Sequence, residues 1–214
     1  LIDLKHFFSI FTLLVALPFG GSTYLSAQNL NKPNPMQTYD TITFGTGCFW
    51  CSQAIFERVE GVISSTVGYS GGKTPNPTYR DVSTGTTGYA EVVQVVYDPT
   101  RVSLKTLLEI FWKTHNPTTL NRQGADVGTQ YRSVIFYHNE AQKQLAEAYK
   151  QKLEEAGVWD QPIVTEISPF RNFYSAEKYH QEYYKNNPAA AYCQFVITPK
   201  VEKFKKVFAD KTKK

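Results

Sequence analysis

Beyond residue 40 the chain alternates between two hydrophobic periods, and each switch marks an element. Residues 41–44, Thr-Ile-Thr-Phe, alternate polar and apolar positions and predict a short strand. Gly45 and Gly47 interrupt it. A helical spacing follows, predicted to run through Val59 and to stop at Gly61, a residue type that ends helices well. Residues 62–69 predict a second strand, and the β-branched stretch "YAEVVQVVYD", 89–98, a third. Residues 103–115 predict an amphipathic helix, with Ser103 as N-cap and Leu104, Leu107, Leu108 and Phe111 on one face. "SVIFYH", 133–138, is a fourth strand. Asn139 then caps a helix that Gly157 ends, and 162–168 forms a further short strand. The polar, glycine-rich stretches 70–88 and 116–132 are expected to be long loops. Residues 175–187 are expected to form a surface helix, and the Ala-rich stretch around Cys193 to be irregular and flexible.

The order β-α-β-β-α-β predicts an α+β fold. It is the ferredoxin-like two-layer sandwich: a helix layer on a mostly antiparallel sheet, with extra helices and long loops. Residues 41–208 read as one domain and 209–214 as a basic tail. The polar, proline-containing residues 28–40 read as a linker. The first 27 residues differ in kind: Lys5, an apolar run from Phe7 to Phe19, then small and polar residues to Ala27. The run is shorter than the roughly 20 residues a membrane span needs. It fits a secretory signal peptide, with an uncleaved anchor as the alternative. Either way the body is expected outside the cytoplasm, periplasmic or extracellular.

Hydrophobic residues at 42% and charged residues at 20% fit a packed globular chain and argue against disorder. The net charge of +4 owes much to the C-terminal stretch, where seven lysines face two acids. Such a tail can attract nucleic acid, but a solvated helix face explains it as well, so no nucleic-acid partner is expected.

Chemistry concentrates in "TFGTGCFWCSQAIFERVEG", residues 43–61, which holds two of the three cysteines, Cys48 and Cys51. They could be a redox pair, half a metal site, or one nucleophile with a neighbour. Cys48 opens a predicted helix, where unpaired N–H groups and the positive dipole end favour a thiolate. The flanking glycines let the chain turn sharply and leave the sulfur uncovered. An odd cysteine count in an exported chain also points to a free reactive thiol. A metal site would need four ligands, and the four histidines are scattered. Glu91 starts a strand whose two faces both look buried. Desolvation there should raise its pKa and let it serve as a proton donor, the alternative being an exposed glutamate at the strand end.

"GCFWC" (47–51), "GYSGGKTPNPTYRDVSTGTTGYAEVVQVVYDP" (68–99), "NRQGADVGTQYRSVIF" (121–136) and "AEKYHQEYYKNNP" (176–188) closely resemble the A-type peptide methionine sulfoxide reductases. The resemblance covers residues 41 to about 195. It implies Cys48 as nucleophile, and Phe49 and Trp50 as the aromatic wall for the substrate's S-methyl group. It implies Glu91 as general acid, Tyr79 and Tyr131 as hydroxyls bonding the sulfoxide oxygen, and Asp126 as a substrate-holding acid. It also implies reduction of the S epimer, no metal or organic cofactor, and an external dithiol reductant of the thioredoxin kind. Oxidised peptides and proteins are the expected substrates, and the chain is expected to be a monomer. A Cys48 sulfenic acid would then need a second thiol. Cys193 resembles the family's C-terminal resolving cysteine, and Cys51 competes for that role. Family members often read His-Asp-Pro where this chain has His115-Asn116-Pro117, and Gly-Asn-Asp where it has Gly124-Ala125-Asp126. The rival reading is a thiol–disulfide oxidoreductase built on Cys48 and Cys51.

Overall fold

The computed structural model describes residues 38–213. The expected signal peptide and nearly all of the expected linker lie outside these residues. The strands predicted from the alternating pattern form as β1 (Asp40–Thr46), β2 (Val62–Ser70), β3 (Ala90–Tyr97) and, after the two-residue strands β4 (Arg122–Gln123) and β5 (Asp126–Val127), β6 (Ser133–Tyr137). Their order in the sheet is β6-β1-β3-β2, each pair antiparallel. Helix α1 (Phe49–Phe56) connects β1 to β2, and α3 (Leu104–Thr114) connects β3 towards β6. This is the ferredoxin-like core. Two short strands extend it to six: β7 (Glu166–Pro169) runs parallel to β6, and β8 (Tyr174–Ser175) pairs with β2.

Local chemistry explains the helix ends. Ser103 caps α3 by accepting the N–H of Thr106, and Asn139 caps α4 (Glu140–Glu155) by accepting that of Gln142. Gly157 follows α4 with φ +57°. One face of the sheet presents Ile42, Phe44, Val93, Val95 and Ile135 to the helices, which add Phe56, Leu107, Leu108 and Phe111. The Phe44 ring lies 5.1 Å from both Phe56 and Phe111. Each such fully buried side chain stabilises the fold by roughly 1.5–3 kcal/mol. On the other face, loop residues Phe170 and Phe173 cover Ala90, Val92, Val134 and Phe136.

Several expectations are corrected. Helix α1 ends at Phe56 rather than Val59, and a turn carries the chain to Gly61. The loop 70–88 contains a short helix, α2 (Tyr79–Ser83), nucleated by a reciprocal cap between Thr78 and Asp81. The strand expected at 162–168 forms only from Glu166. Residues 175–187 are not one helix: a single 3-10 turn (Lys178–His180) and a short helix, α5 (Tyr183–Asn186), are separated by Glu182 at φ +51°. Cys193 is neither irregular nor accessible. It begins a π-helical turn (Cys193–Ile197) that continues into α6 (Thr198–Val207), and it is fully buried. The basic segment after α6 does not trail free: Val59 bridges Thr212, and Glu60 N–H donates to the Lys211 carbonyl. Lys203, Lys205 and Lys206 do form the solvated face expected of α6.

The outer edge of β2 is closed by side chains. Gln181 accepts the Val67 N–H and donates to the Val67 carbonyl, and Gln53 donates to the Ser65 carbonyl.

Candidate active site

Helix α1 begins where β1 runs out, and Cys48 occupies its N-cap. The preceding Gly47 has φ +92°, and a Cβ there would lie 2.5 Å from the Cβ of Gln123. Glycine is therefore required both for the turn and for this close approach. Gln123 is held in turn by two hydrogen bonds to the backbone of Asn116. So the loop 116–127 is clamped onto the start of the helix.

Glu91 lies on the helix-facing side of β3, beside that helix start, and accepts the Phe49 N–H at 3.0 Å. It is 2% exposed. Burial pushes its pKa up to about 8, against the lowering effect of the Phe49 N–H. The carboxyl is therefore mostly protonated at neutral pH, as its sequence position suggested. Tyr79 on α2 and Tyr131, in the 3-10 turn Thr129–Tyr131, have phenols raised first by burial and then by the charge of Glu91; the charge of Cys48 acts on both. Glu91, Cys48, Tyr79 and Tyr131 thus share one electrostatic neighbourhood. All three oxygen groups are proton donors at neutral pH.

Cys48 departs from expectation. Its sulfur is enclosed rather than uncovered, with 7% of the residue exposed. Burial, and then the neighbouring Cys51 sulfur, push its thiol well above the ordinary range. Cys51 goes the other way, down to about 7, because Cys48 hydrogen-bonds to it. The two sulfurs titrate as a pair whose first proton is lost near neutrality. Cys193 lies in the same apolar cluster; burial raises its thiol first and the charge of Cys51 second. Cys51 thus acts electrostatically on both Cys48 and Cys193, and all three thiols are free. Among the described residues no group of three or more His, Cys, Asp or Glu side chains is arranged to hold a metal ion.

Phe49 and Trp50 lie 6.3 Å apart, ring centre to ring centre. Tyr79 stacks near Phe49 at 6.4 Å, and Tyr183 stacks flat on Trp50 at 3.7 Å. Tyr192 meets Trp50 edge-on at 5.8 Å, and its phenol donates to Asp126 Oδ2 at 2.8 Å. The structure therefore gathers every residue singled out from the sequence at one end of the sheet. Sequence reading missed Tyr183, Tyr192, His180 and Glu177. The signal available was the aromatic and acidic density of residues 177–192, which a surface helix would not need.

A buried cysteine pair, a carboxyl raised by burial, two phenols and clustered aromatic rings meet at one end of the sheet, the groups of a thiol-based enzyme. The comparisons agree. The sequence profile described as peptide methionine sulfoxide reductase matches residues 40–212. A peptide methionine sulfoxide reductase of Saccharolobus solfataricus is 53% identical over 174 residues, 81% of this chain and 97% of that one. One from Deinococcus radiodurans is 46% identical over 190 residues, 89% of this chain and 92% of that one. Methionine sulfoxide reductase A of Corynebacterium diphtheriae superposes with a TM-score of 0.65 at 41% identity, covering 71% of this chain and 76% of that one. Mxr1 from Saccharomyces cerevisiae in its reduced form superposes at 0.67 and 36% identity, covering 76% and 92%. The chain belongs to the peptide methionine sulfoxide reductase family. It is an oxidoreductase acting on methionine sulfoxide.

Proposed function

We propose that the enzyme reduces the S epimer of methionine sulfoxide, free or peptide-bound, with Cys48 as nucleophile and Glu91 as general acid. The observation that carries this is the buried Glu91 carboxyl, bonded to the Phe49 N–H next to Cys48 and within the electrostatic reach of the Tyr79 and Tyr131 phenols. A sulfoxide sulfur is electrophilic, but its oxygen leaves badly. Donors aimed where negative charge develops lower that barrier. Phe49 and Trp50 enclose the S-methyl group, and Asp126 holds the rest of the substrate.

The Cys48 sulfur attacks the sulfoxide sulfur as its own proton passes to Cys51 and Glu91 protonates the oxygen. The S–O bond of the substrate breaks; the released hydroxyl adds to the Cys48 sulfur as the new Cys48–substrate S–S bond breaks with its electron pair going to methionine, which departs reduced by two electrons and leaves Cys48 as a sulfenic acid. Cys51 then condenses with it, releasing water and forming a Cys48–Cys51 disulfide. Cys193, next to Cys51, attacks the Cys51 sulfur, frees Cys48 as a thiol and passes the disulfide to Cys51–Cys193. Both second thiols thus take part, Cys51 first. An external dithiol of the thioredoxin kind restores the thiols. These steps use only sulfur chemistry and protons, with no metal, flavin or nucleotide. The protein acts as a monomer on oxidised proteins and peptides. It acts outside the cytoplasm, a reading that rests on the apolar run 7–19 and the small residues after it.

The test is turnover by the full chain with a small dithiol, given separate S and R epimers of a blocked methionine sulfoxide, with Cys48→Ser as control. Methionine from the S epimer alone, lost in the control, is expected. Turnover of neither epimer by folded protein would overturn the reading. The rival, thiol–disulfide exchange by Cys48 and Cys51, requires Glu91→Gln to leave activity intact, whereas sulfoxide reduction requires it to collapse.

A further inference from the structure

The segment after β8 carries a carboxylate that the reaction scheme leaves unused. Glu177 accepts the Tyr79 N–H through Oε1 and the Tyr69 phenol through Oε2, each at 2.8 Å. The same Oε2 lies 4.0 Å from Nε2 of His180. His180 is 2% exposed and packs on Phe49, Tyr79 and Trp50, with ring centres 5.1, 4.4 and 5.6 Å away. Its Nδ1 accepts the indole N–H of Trp50 at 3.1 Å.

That hydrogen bond dictates the protonation of the ring. An indole nitrogen only donates, so Nδ1 must carry a lone pair. Burial keeps the ring neutral, against the pull of Glu177. The single proton therefore sits on Nε2. This buried N–H has no hydrogen-bond partner among the described residues, and the acceptor beside it is Glu177. A shift of about 1 Å would close the pair to hydrogen-bond length. In the other tautomer an N–H would face the N–H of Trp50.

We propose that Glu177 is a positioning residue for two walls of the active site at once. Through the Tyr79 backbone it fixes the helix that carries a donor to the sulfoxide oxygen. Through the tautomer of His180 it fixes the indole of Trp50, the wall of the methyl cage. The Tyr79 and His180 contacts respond differently to substitution, while the Tyr69 phenol, which now donates to Oε2, turns to accept from an amide nitrogen placed there. In Glu177→Gln the amide oxygen still accepts the Tyr79 N–H. The amide nitrogen then confronts the Nε2–H of His180, so the ring changes tautomer and Trp50 loses its acceptor.

This inference rests on the roles proposed above for Trp50 and Tyr79, and its test includes a readout that needs no turnover. The indole cross-peak of Trp50 in a 1H–15N spectrum, identified by its loss in Trp50→Phe, should move upfield in Glu177→Gln. KM for the S epimer should rise about 5–10-fold, the size of one hydrogen bond, with kcat within about twofold. Glu177→Asp, which keeps the charge, should leave the cross-peak close to its wild-type position. His180→Gln offers Trp50 an acceptor that has no tautomer. In that background Glu177→Gln should cost nothing further in KM, so the two effects should not multiply. An unmoved cross-peak in Glu177→Gln, or multiplying KM effects, would overturn the proposal. A loss of kcat at unchanged KM would overturn it too. Wild-type turnover against Cys48→Ser reports separately on the catalytic reading.

Discussion

The backbone N–H of Phe49 donates to the carboxyl of Glu91 across 3.0 Å, joining the first turn of α1 to the central strand of the sheet. The acid and the residue next to the nucleophile are therefore registered to each other by a bond between a helix start and a buried strand. The bond also accepts either protonation state of Glu91, so it survives a catalytic cycle in which that group gives up a proton.

Glu91→Gln keeps this acceptor but removes the proton. Activity is expected to fall about 10²–10⁴-fold, the usual contribution of a general acid. In the wild type, kcat/KM should decline as pH rises through about 8, where the carboxyl ionises. Stability should respond in the opposite sense to the substitution. The folded pKa of about 8 exceeds the ordinary 4.5, so the group favours the folded state fully below about 4.5 and loses that contribution as pH rises towards 8. Glu91→Gln should therefore melt above the wild type at pH 8 and level with it at pH 4.

The two sulfurs of α1 should reveal their coupling by titration. Thiolate absorbance in the wild type is expected to rise first near pH 7. Cys48→Ala deletes the hydrogen bond that lowers Cys51, so that step should move up towards the ordinary thiol range. Cys51→Ala removes the sulfur that helps raise Cys48 and should bring the Cys48 titration down. Unchanged titrations in both variants would show the sulfurs to be independent.

Trapping should order the thiols. With one equivalent of substrate and no reductant, Cys193→Ser is expected to accumulate a Cys48–Cys51 disulfide, read by peptide mass mapping. Cys51→Ser should still release one methionine per enzyme and retain a Cys48 sulfenic acid, reactive with dimedone. A Cys48–Cys193 disulfide forming as fast in Cys51→Ser as in the wild type would show that Cys193 needs no intermediary.

Gly47→Ala tests the turn. The new Cβ meets both a positive φ and the Gln123 side chain. A destabilisation of about 1–3 kcal/mol is expected in urea unfolding. The KM for substrate should also rise, because Gln123 must move and Asp126 lies on the same hairpin.

Most of the fold was legible because the sheet strands are short alternating or β-branched runs bounded by turn residues, and α3 and α4 carry their own caps. Glu91 was only half legible from the strand, since a glutamate at a strand end can be exposed as well as buried; its role as an acid came from the motif it sits in. Cys193 and His180 were not legible. Their positions depend on contacts with α1, more than 100 residues earlier in the chain, and no local period records those contacts. The enclosure of Cys48 was hidden likewise, since Tyr192 and Trp50 close over it only in three dimensions. The glycines around Cys48 shape the turn, as expected, but they do not expose the sulfur.

The glutamines along β2 acquire a further meaning from the substrates. An enzyme that repairs damaged proteins works among chains that have partly lost their own sheets and carry strands seeking partners. An open edge on its sheet would invite such a chain to add on and stay. Gln181 and Gln53 occupy that edge with amide groups, and at the far side β7 ends in Pro169, which has no N–H to offer. The backbone groups of Ser65 and Val67 that a stray strand would seek are thus already taken, and β8 pairs the rest of that edge.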